Sequence, residues 1–327
     1  YLHQIDSQHN QKQILNVFWS LLKSMKTVVH LWAIHLGPQW QQVSVDQPFL
    51  LYMSKILLNK TIHYSRMNLQ LKKFKPEVMT DDRVCVFIGK RNTGKSTLVK
   101  DIMYHKKHLP AGIVLSGTEE GNHFYSEFIP DLFVYGDYDR DAIERVMARQ
   151  RKLVGGGKKN CGAFMLLDDC MYDSKFLKDT CIRQCFMNGR HWKIFFMLTM
   201  QYVMDLPPAL RANVDYVFIL RENIIQNREK LYKSFFGIFP SFDMFCKVMD
   251  ACTENYECLV LDNTVKSNKI QDCVFWYKAT VRKGFRVGGP DLWKLHQKMY
   301  NPKHQQQKED DAKKATKKTN LKITKTK

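Results

Sequence analysis

The chain has 327 residues, with 51 Lys+Arg against 32 Asp+Glu, a formal net charge of +19 and 44% hydrophobic residues. That length can bury a core without disulfide staples. Its nine scattered cysteines contain no C-x-x-C pair, which argues against a zinc finger and points to a reducing compartment.

Residues 1–66 are atypical, glutamine- and histidine-rich at first and then apolar around Leu15–Leu36. Lys23, Lys26, His30 and His35 interrupt that stretch, so no membrane span is expected, and the form of a secretory signal is missing. Met67 is the expected native start, which leaves 1–66 as an unrelated extension. A domain over 67–300 follows, and then a lysine-rich tail, 301–327.

The domain opens with Val84-Cys85-Val86-Phe87-Ile88, a short apolar run suited to a buried strand. Immediately after it, Gly89-Lys90-Arg91-Asn92-Thr93-Gly94-Lys95-Ser96 is a complete G-x-x-x-x-G-K-S phosphate-binding loop. From Ser96 and Thr97 to Met103 the apolar residues recur at helical spacing. Such a turn points backbone N–H groups at a phosphate from a helix N-terminus, where the helix dipole also favours negative charge. The loop Gly89–Thr97 is therefore read as the binding site of ATP, with Lys95 on the β- and γ-phosphates and the Ser96 hydroxyl on Mg²⁺.

Gly112–Ser116 reads as a second strand, and Asp141–Leu153 as a helix with Ile143, Val146, Met147 and Leu153 on one face. Gly155-Gly156-Gly157-Lys158-Lys159-Asn160 is a basic connector, either a plain solvated loop or one that grips backbone phosphates. Ala163–Leu167 is a further strand ending in Asp168-Asp169. Asp168 is assigned to Mg²⁺ through water, and Asp169 to orienting or deprotonating the attacking water. The alternative for Asp169 is a helix N-cap.

Cys181 and Cys185 lie in a helical stretch with no partner pair at zinc spacing. Lys193–Met200 is a strand ending in Gln201, a polar tip that can contact the γ-phosphate or the lytic water. The order of phosphate loop, acidic tip and polar tip suggests an ATPase whose polar-tip strand lies between the other two. Pro207-Pro208 breaks the chain, and Tyr216–Leu220 is a fifth strand. Cys258–Leu261 and Cys273–Ala279 read as strands flanking a turn at Asp262-Asn263, a hairpin at the sheet edge. Alternating strands and helices give an α/β fold, a mainly parallel sheet with helices on both faces.

The strings 84–99, 165–170, 188–201 and 206–222 resemble the virion DNA-packaging ATPases of large double-stranded DNA viruses, in the HerA–FtsK group of P-loop ATPases. The resemblance spans about residues 67–290. It implies a RecA-like core, a homo-oligomeric ring, and ATP-driven pumping of double-stranded DNA into a capsid. Capsid or portal components become partners, and host cytoplasm and the virion become its locations. It also implies that Arg190, just before the polar-tip strand, acts on a neighbouring subunit's ATP, a task suited to a fixed guanidinium fork. Arg211, Arg221 and Arg228 are the rivals for that role.

The cationic excess agrees with a polyanionic partner, since each neutralised phosphate releases counterions. Residues 303–327 hold nine lysines against Glu309, Asp310 and Asp311, a net of +6, which leaves +13 for the rest. The aromatic-free tail is expected to be disordered. No base-reading signature is present, so contact is expected with backbone and not with sequence. Two other readings remain open: a nucleic-acid-dependent NTPase or helicase, and a scaffold switched by ATP.

Overall fold

The computed structural model describes residues 69–119, 123–170, 176–203 and 206–301, all within the compact unit that starts at Leu69. The extension 1–66, the start expected at Met67 and the tail beyond Asn301 lie outside the described residues.

Nine strands form one sheet. In chain order they are β1 (Lys72–Lys73), β2 (Val84–Ile88), β3 (Ala111–Ser116), β4 (Val134–Tyr135), β5 (Ala163–Asp168), β6 (Ile194–Met200), β7 (Tyr216–Ile219), β8 (Glu257–Asp262) and β9 (Val274–Lys278). Across the sheet the order is β1-β9-β8-β7-β2-β6-β5-β3-β4. The five strands predicted from the apolar runs are all present. As expected, the polar-tip strand β6 lies between the loop strand β2 and the acidic strand β5.

From β7 to β4 all neighbours run parallel. The central strands β2, β5, β6 and β7 are buried at every position. Burial on both faces explains why they read as continuous apolar runs and not as alternating ones.

Alternate residues of one strand feed two different cores. Val84, Val86 and Ile88 face one side, and Cys85 and Phe87 the other. The first core is roofed by helices α2 (Arg140–Gly155), α3 (Thr180–Asn188), α5 (Ile225–Phe235) and α6 (Phe242–Cys252). The second holds α1 (Lys95–His105), through Leu98, Val99, Ile102 and Met103. Helices therefore cover both faces of a RecA-like P-loop core. Short helices α4 (Pro208–Arg211) and α7 (Ile270–Cys273) lie in connections, and α8 (Pro290–Met299) closes the described chain.

The expected hairpin differs in form. β8 and β9 pair antiparallel, but residues 263–273, including α7, join them where a tight turn at Asp262-Asn263 was expected. Asp262 accepts from the Thr264 N–H and hydroxyl, and the Asn263 N–H donates to the Asp215 carbonyl. These bonds turn the chain away from an immediate return. The pair is also not the edge, because β1 runs parallel alongside β9.

Candidate nucleotide site

A parallel sheet presents its functional end at the carboxyl ends of its strands, and there β2 hands the chain to the phosphate loop. The Gly89 N–H donates to the Met200 carbonyl of β6 at 3.1 Å, so the loop springs from beside the tip that carries Gln201. A Cβ on Gly89 would lie 2.8 Å from Thr93 Oγ1 and 2.9 Å from Leu220 Cδ1, which excludes larger residues. The Thr93 hydroxyl donates to the Lys90 carbonyl at 2.7 Å and closes the loop on itself. Asn92 (φ 62°) and Gly94 (φ 92°) are left-handed, and Gly94 is the N-cap of α1. Arg91, Asn92 and Ser96 are exposed, while Thr93, Gly94 and Thr97 are half-buried.

Three predicted groups meet here. Lys95 is buried, and its Nζ lies 3.4 Å from Asp169 Oδ1. Gln201 Nε2 donates to both Asp169 oxygens, at 3.2 and 3.1 Å. Asp169 reaches them because its backbone is left-handed, φ 54°, with its N–H held by Thr199 Oγ1 at 3.1 Å. Aspartate tolerates that conformation better than most residues. The bend carries its carboxylate away from the strand alternation and into the site. The N-cap of the helix that follows, α3, is Asp179.

Asp168 is held differently. It is buried, with Oδ1 accepting from the Thr199 hydroxyl at 2.5 Å and Oδ2 from the Tyr125 hydroxyl at 2.8 Å. Burial, then the neighbouring Asp168 charge, pushes the Tyr125 phenol well above its ordinary range, so it stays a donor. Tyr125 is positioned in turn by Glu119, whose buried carboxylate accepts from the Tyr125 and Ser126 N–H groups. Each Asp168 oxygen keeps a second lone pair. A rigid carboxylate with the Ser96 hydroxyl is a hard-oxygen donor set that fits Mg²⁺, which keeps several of its waters.

No protein-family model matches the sequence. Relatives do. The chain is 38% identical over 244 residues to uncharacterized protein L437 of Acanthamoeba polyphaga mimivirus, covering 72% of this chain and 86% of that protein. It is 40% identical over 213 residues to uncharacterized protein 015R of Frog virus 3, covering 64% and 66%, and 36% identical over 223 residues to uncharacterized protein 075L of Invertebrate iridescent virus 6, covering 67% and 86%. The chain belongs to this family of viral proteins. Among solved structures, the genome packaging NTPase B204 of Sulfolobus turreted icosahedral virus 2, with ATP-gammaS, aligns at TM-score 0.44 and 20% identity over 61% of this chain and 98% of that one.

In this chain the cationic residue Arg190 is not part of the cluster around Asp169. It sits where α3 passes to β6, at the amino ends of the strands and thus opposite the phosphate loop. Its Nη2 lies 2.5 Å from Oδ1 of buried Asp215, which also accepts from the Val84 N–H at 2.9 Å. Arg190 itself is 53% exposed. Of the rivals, Arg211 donates to the Leu206 carbonyl, and Arg228 is engaged by Asp250 and the Glu222 carbonyl. Arg221 is exposed just past β7, at the nucleotide end, and donates to Asn223 Oδ1 at 3.0 Å.

Sequence reasoning missed Thr199, Tyr125 and Glu119, and also Glu222. The last pairs with Lys90 of the loop at 2.6 Å and accepts from the Ile224 N–H and the Asn227 amide. Burial opposes ionisation of Glu222, but Lys90 and these donors hold it below its ordinary value of 4.5. Thr199 alone had a legible signal, as a polar residue inside an otherwise apolar strand.

Proposed function

We propose that this chain hydrolyses ATP to drive double-stranded viral DNA into a capsid, as a homo-oligomeric ring built from the domain at 67–300. The observation that carries the reading is the joining of Lys95, Asp169 and Gln201 at the mouth of the phosphate loop. A passive nucleotide binder has no use for a carboxylate so placed. Lys95 and the loop N–H groups hold the phosphate chain. Asp169 accepts the proton of the attacking water, and Gln201 fixes the orientation of that carboxylate. Ser96 directly and Asp168 through water would hold Mg²⁺, which would supply charge neutralisation for the phosphate chain.

The place of Arg190 supports the ring. It lies at the opposite end of the sheet from its own loop, so it serves an ATP only when presented to a neighbour, after leaving Asp215. Exposed Arg151, Lys152, Lys158, Lys159 and Lys193 cluster around the amino ends of β5 and β6. Arg151 packs over the Trp192 ring at 5.3 Å, and buried Gln150 ties α2 to the Cys161 and Trp192 carbonyls. This braced basic edge suits a DNA backbone. Capsid or portal components are the expected partners, and host cytoplasm and virion the expected locations. A triplex-displacement assay on duplex DNA tests the reading. ATP-dependent displacement of the third strand with the duplex left paired is the expected result. Strand separation would identify a helicase, and no displacement would remove the motor.

A further inference from the structure

The segment between α6 and β8 holds a residue that its backbone does not favour. Asn255 and Tyr256 are both left-handed, at φ 50° and 63°, and the Glu257 N–H donates to the Glu254 carbonyl at 2.8 Å. Two consecutive left-handed residues closing a tight turn are normally Asn-Gly. Asn255 fits that pattern. Tyr256 takes the place of glycine, with a Cβ that the left-handed region crowds. Burial does not offset the strain, because Tyr256 is 69% exposed.

Its ring lies against the phosphate loop. A Cβ on Gly94 would stand only 3.2 Å from Tyr256 Cδ1. The site also has a direction. Asp168, Asp169 and Gln201 belong to the tips of β5 and β6 on one side of β2, whereas β7 and then β8 lie on the other side. β8 runs antiparallel to β7, so its first residue and the turn before it stand at the nucleotide end of the sheet. A nucleotide whose terminal phosphate faces the acids therefore sends its ribose and base toward Tyr256.

We propose that the Tyr256 ring is the platform on which the base of the bound nucleotide stacks. This deepens the ATP-binding reading and rests on it. Exposed aromatic rings stack any base, since every base offers a π-face. The platform therefore adds affinity for a nucleoside triphosphate without demanding adenine.

Calorimetric titration of the full chain with Mg·ATP and with Mg·tripolyphosphate tests the proposal, using wild type, Tyr256→Gly and Tyr256→Phe. The glycine variant is expected to bind ATP about tenfold or more weakly and tripolyphosphate as wild type does. Its Tm should be unchanged or higher, because glycine relieves the turn. The phenylalanine variant should bind ATP like wild type. Equal ATP affinity in the glycine variant, or wild-type protein that binds ATP no tighter than tripolyphosphate, overturns the platform while leaving the loop assignment standing. Wild-type protein that binds neither ligand overturns both.

Discussion

Replacing Tyr125 with phenylalanine removes one oxygen from the support of Asp168 and little else. The ring is 1% exposed, so phenylalanine keeps the packing among Phe124, Phe128 and their neighbours. What is lost is the 2.8 Å hydrogen bond to Asp168 Oδ2, in a carboxylate that is itself only 5% exposed. A hydrogen bond to a charged group contributes about 1.5–3 kcal/mol, and its loss leaves the buried oxygen without that donor. For a domain of this size each kcal/mol lowers Tm by roughly 2–4 °C, so a drop of about 3–12 °C is expected. Differential scanning calorimetry at pH 7 measures it. Hydrolysis should fall as well, because among the described residues the Thr199 hydroxyl is then the one side-chain donor that holds the Asp168 carboxylate. Thr199→Val with Tyr125→Phe should show non-additive losses in a double-mutant cycle, since both donors serve one carboxylate. A Tm within a degree of wild type, together with unchanged turnover, would refute the claim that Tyr125 anchors Asp168.

Asp169→Asn keeps the shape but removes the proton acceptor; ATP should still bind in a filter assay while turnover falls by about 10²–10⁴-fold. Arg190→Ala should leave ATP binding nearly intact and lower hydrolysis by roughly 10³-fold or more. Mixing it with Lys95→Ala subunits should restore some activity at shared interfaces; absence of rescue would move the role to Arg221, which stands exposed at the nucleotide end. Glu222 and Asp81 are held below their ordinary values of 4.5 and 3.8, Asp81 against burial by His108 and Lys106. Their contribution to stability is therefore complete above those values and is lost as pH falls through the lower folded ones. Glu222→Gln should flatten that acid limb in urea titrations across pH 2–6, and an unchanged limb would contradict the Lys90–Glu222 pairing.

The fold's centre was legible because its signals are local. An apolar run, a glycine-rich turn and a helical period stand next to one another from Val84 to Met103, and β5 and β6 end in polar residues that no buried strand needs for packing. Their adjacency followed from the order of motifs. The rest depends on separations that sequence patterns do not record. Glu119 and Tyr125 lie in the connection after β3 and acquire meaning only because Tyr125 reaches Asp168, 43 residues away. β1 is two lysines, indistinguishable in sequence from a surface pair until Phe275 and Trp276 align beside it. Arg190 and Asp215 meet because β6 and β7 flank β2 from opposite sides, and the shared sheet end brings the two together. The turn at Asp262-Asn263 failed as a hairpin for a related reason: the Asn263 N–H and side chain bond to Asp215 and Val214 carbonyls, contacts from a different strand connection.

In the function proposed above, Lys95, Asp169 and Gln201 form an ATPase centre whose turnover is coupled to duplex DNA in an assembly. Steady-state ATP hydrolysis by the full chain, measured with and without duplex DNA across protein concentration, with Lys95→Ala as control, tests it most directly. Strong stimulation by DNA, a cooperative rise with protein concentration and no activity in the Lys95→Ala chain are the expected results. Hydrolysis indifferent to DNA and concentration, or retained without Lys95, would contradict that function.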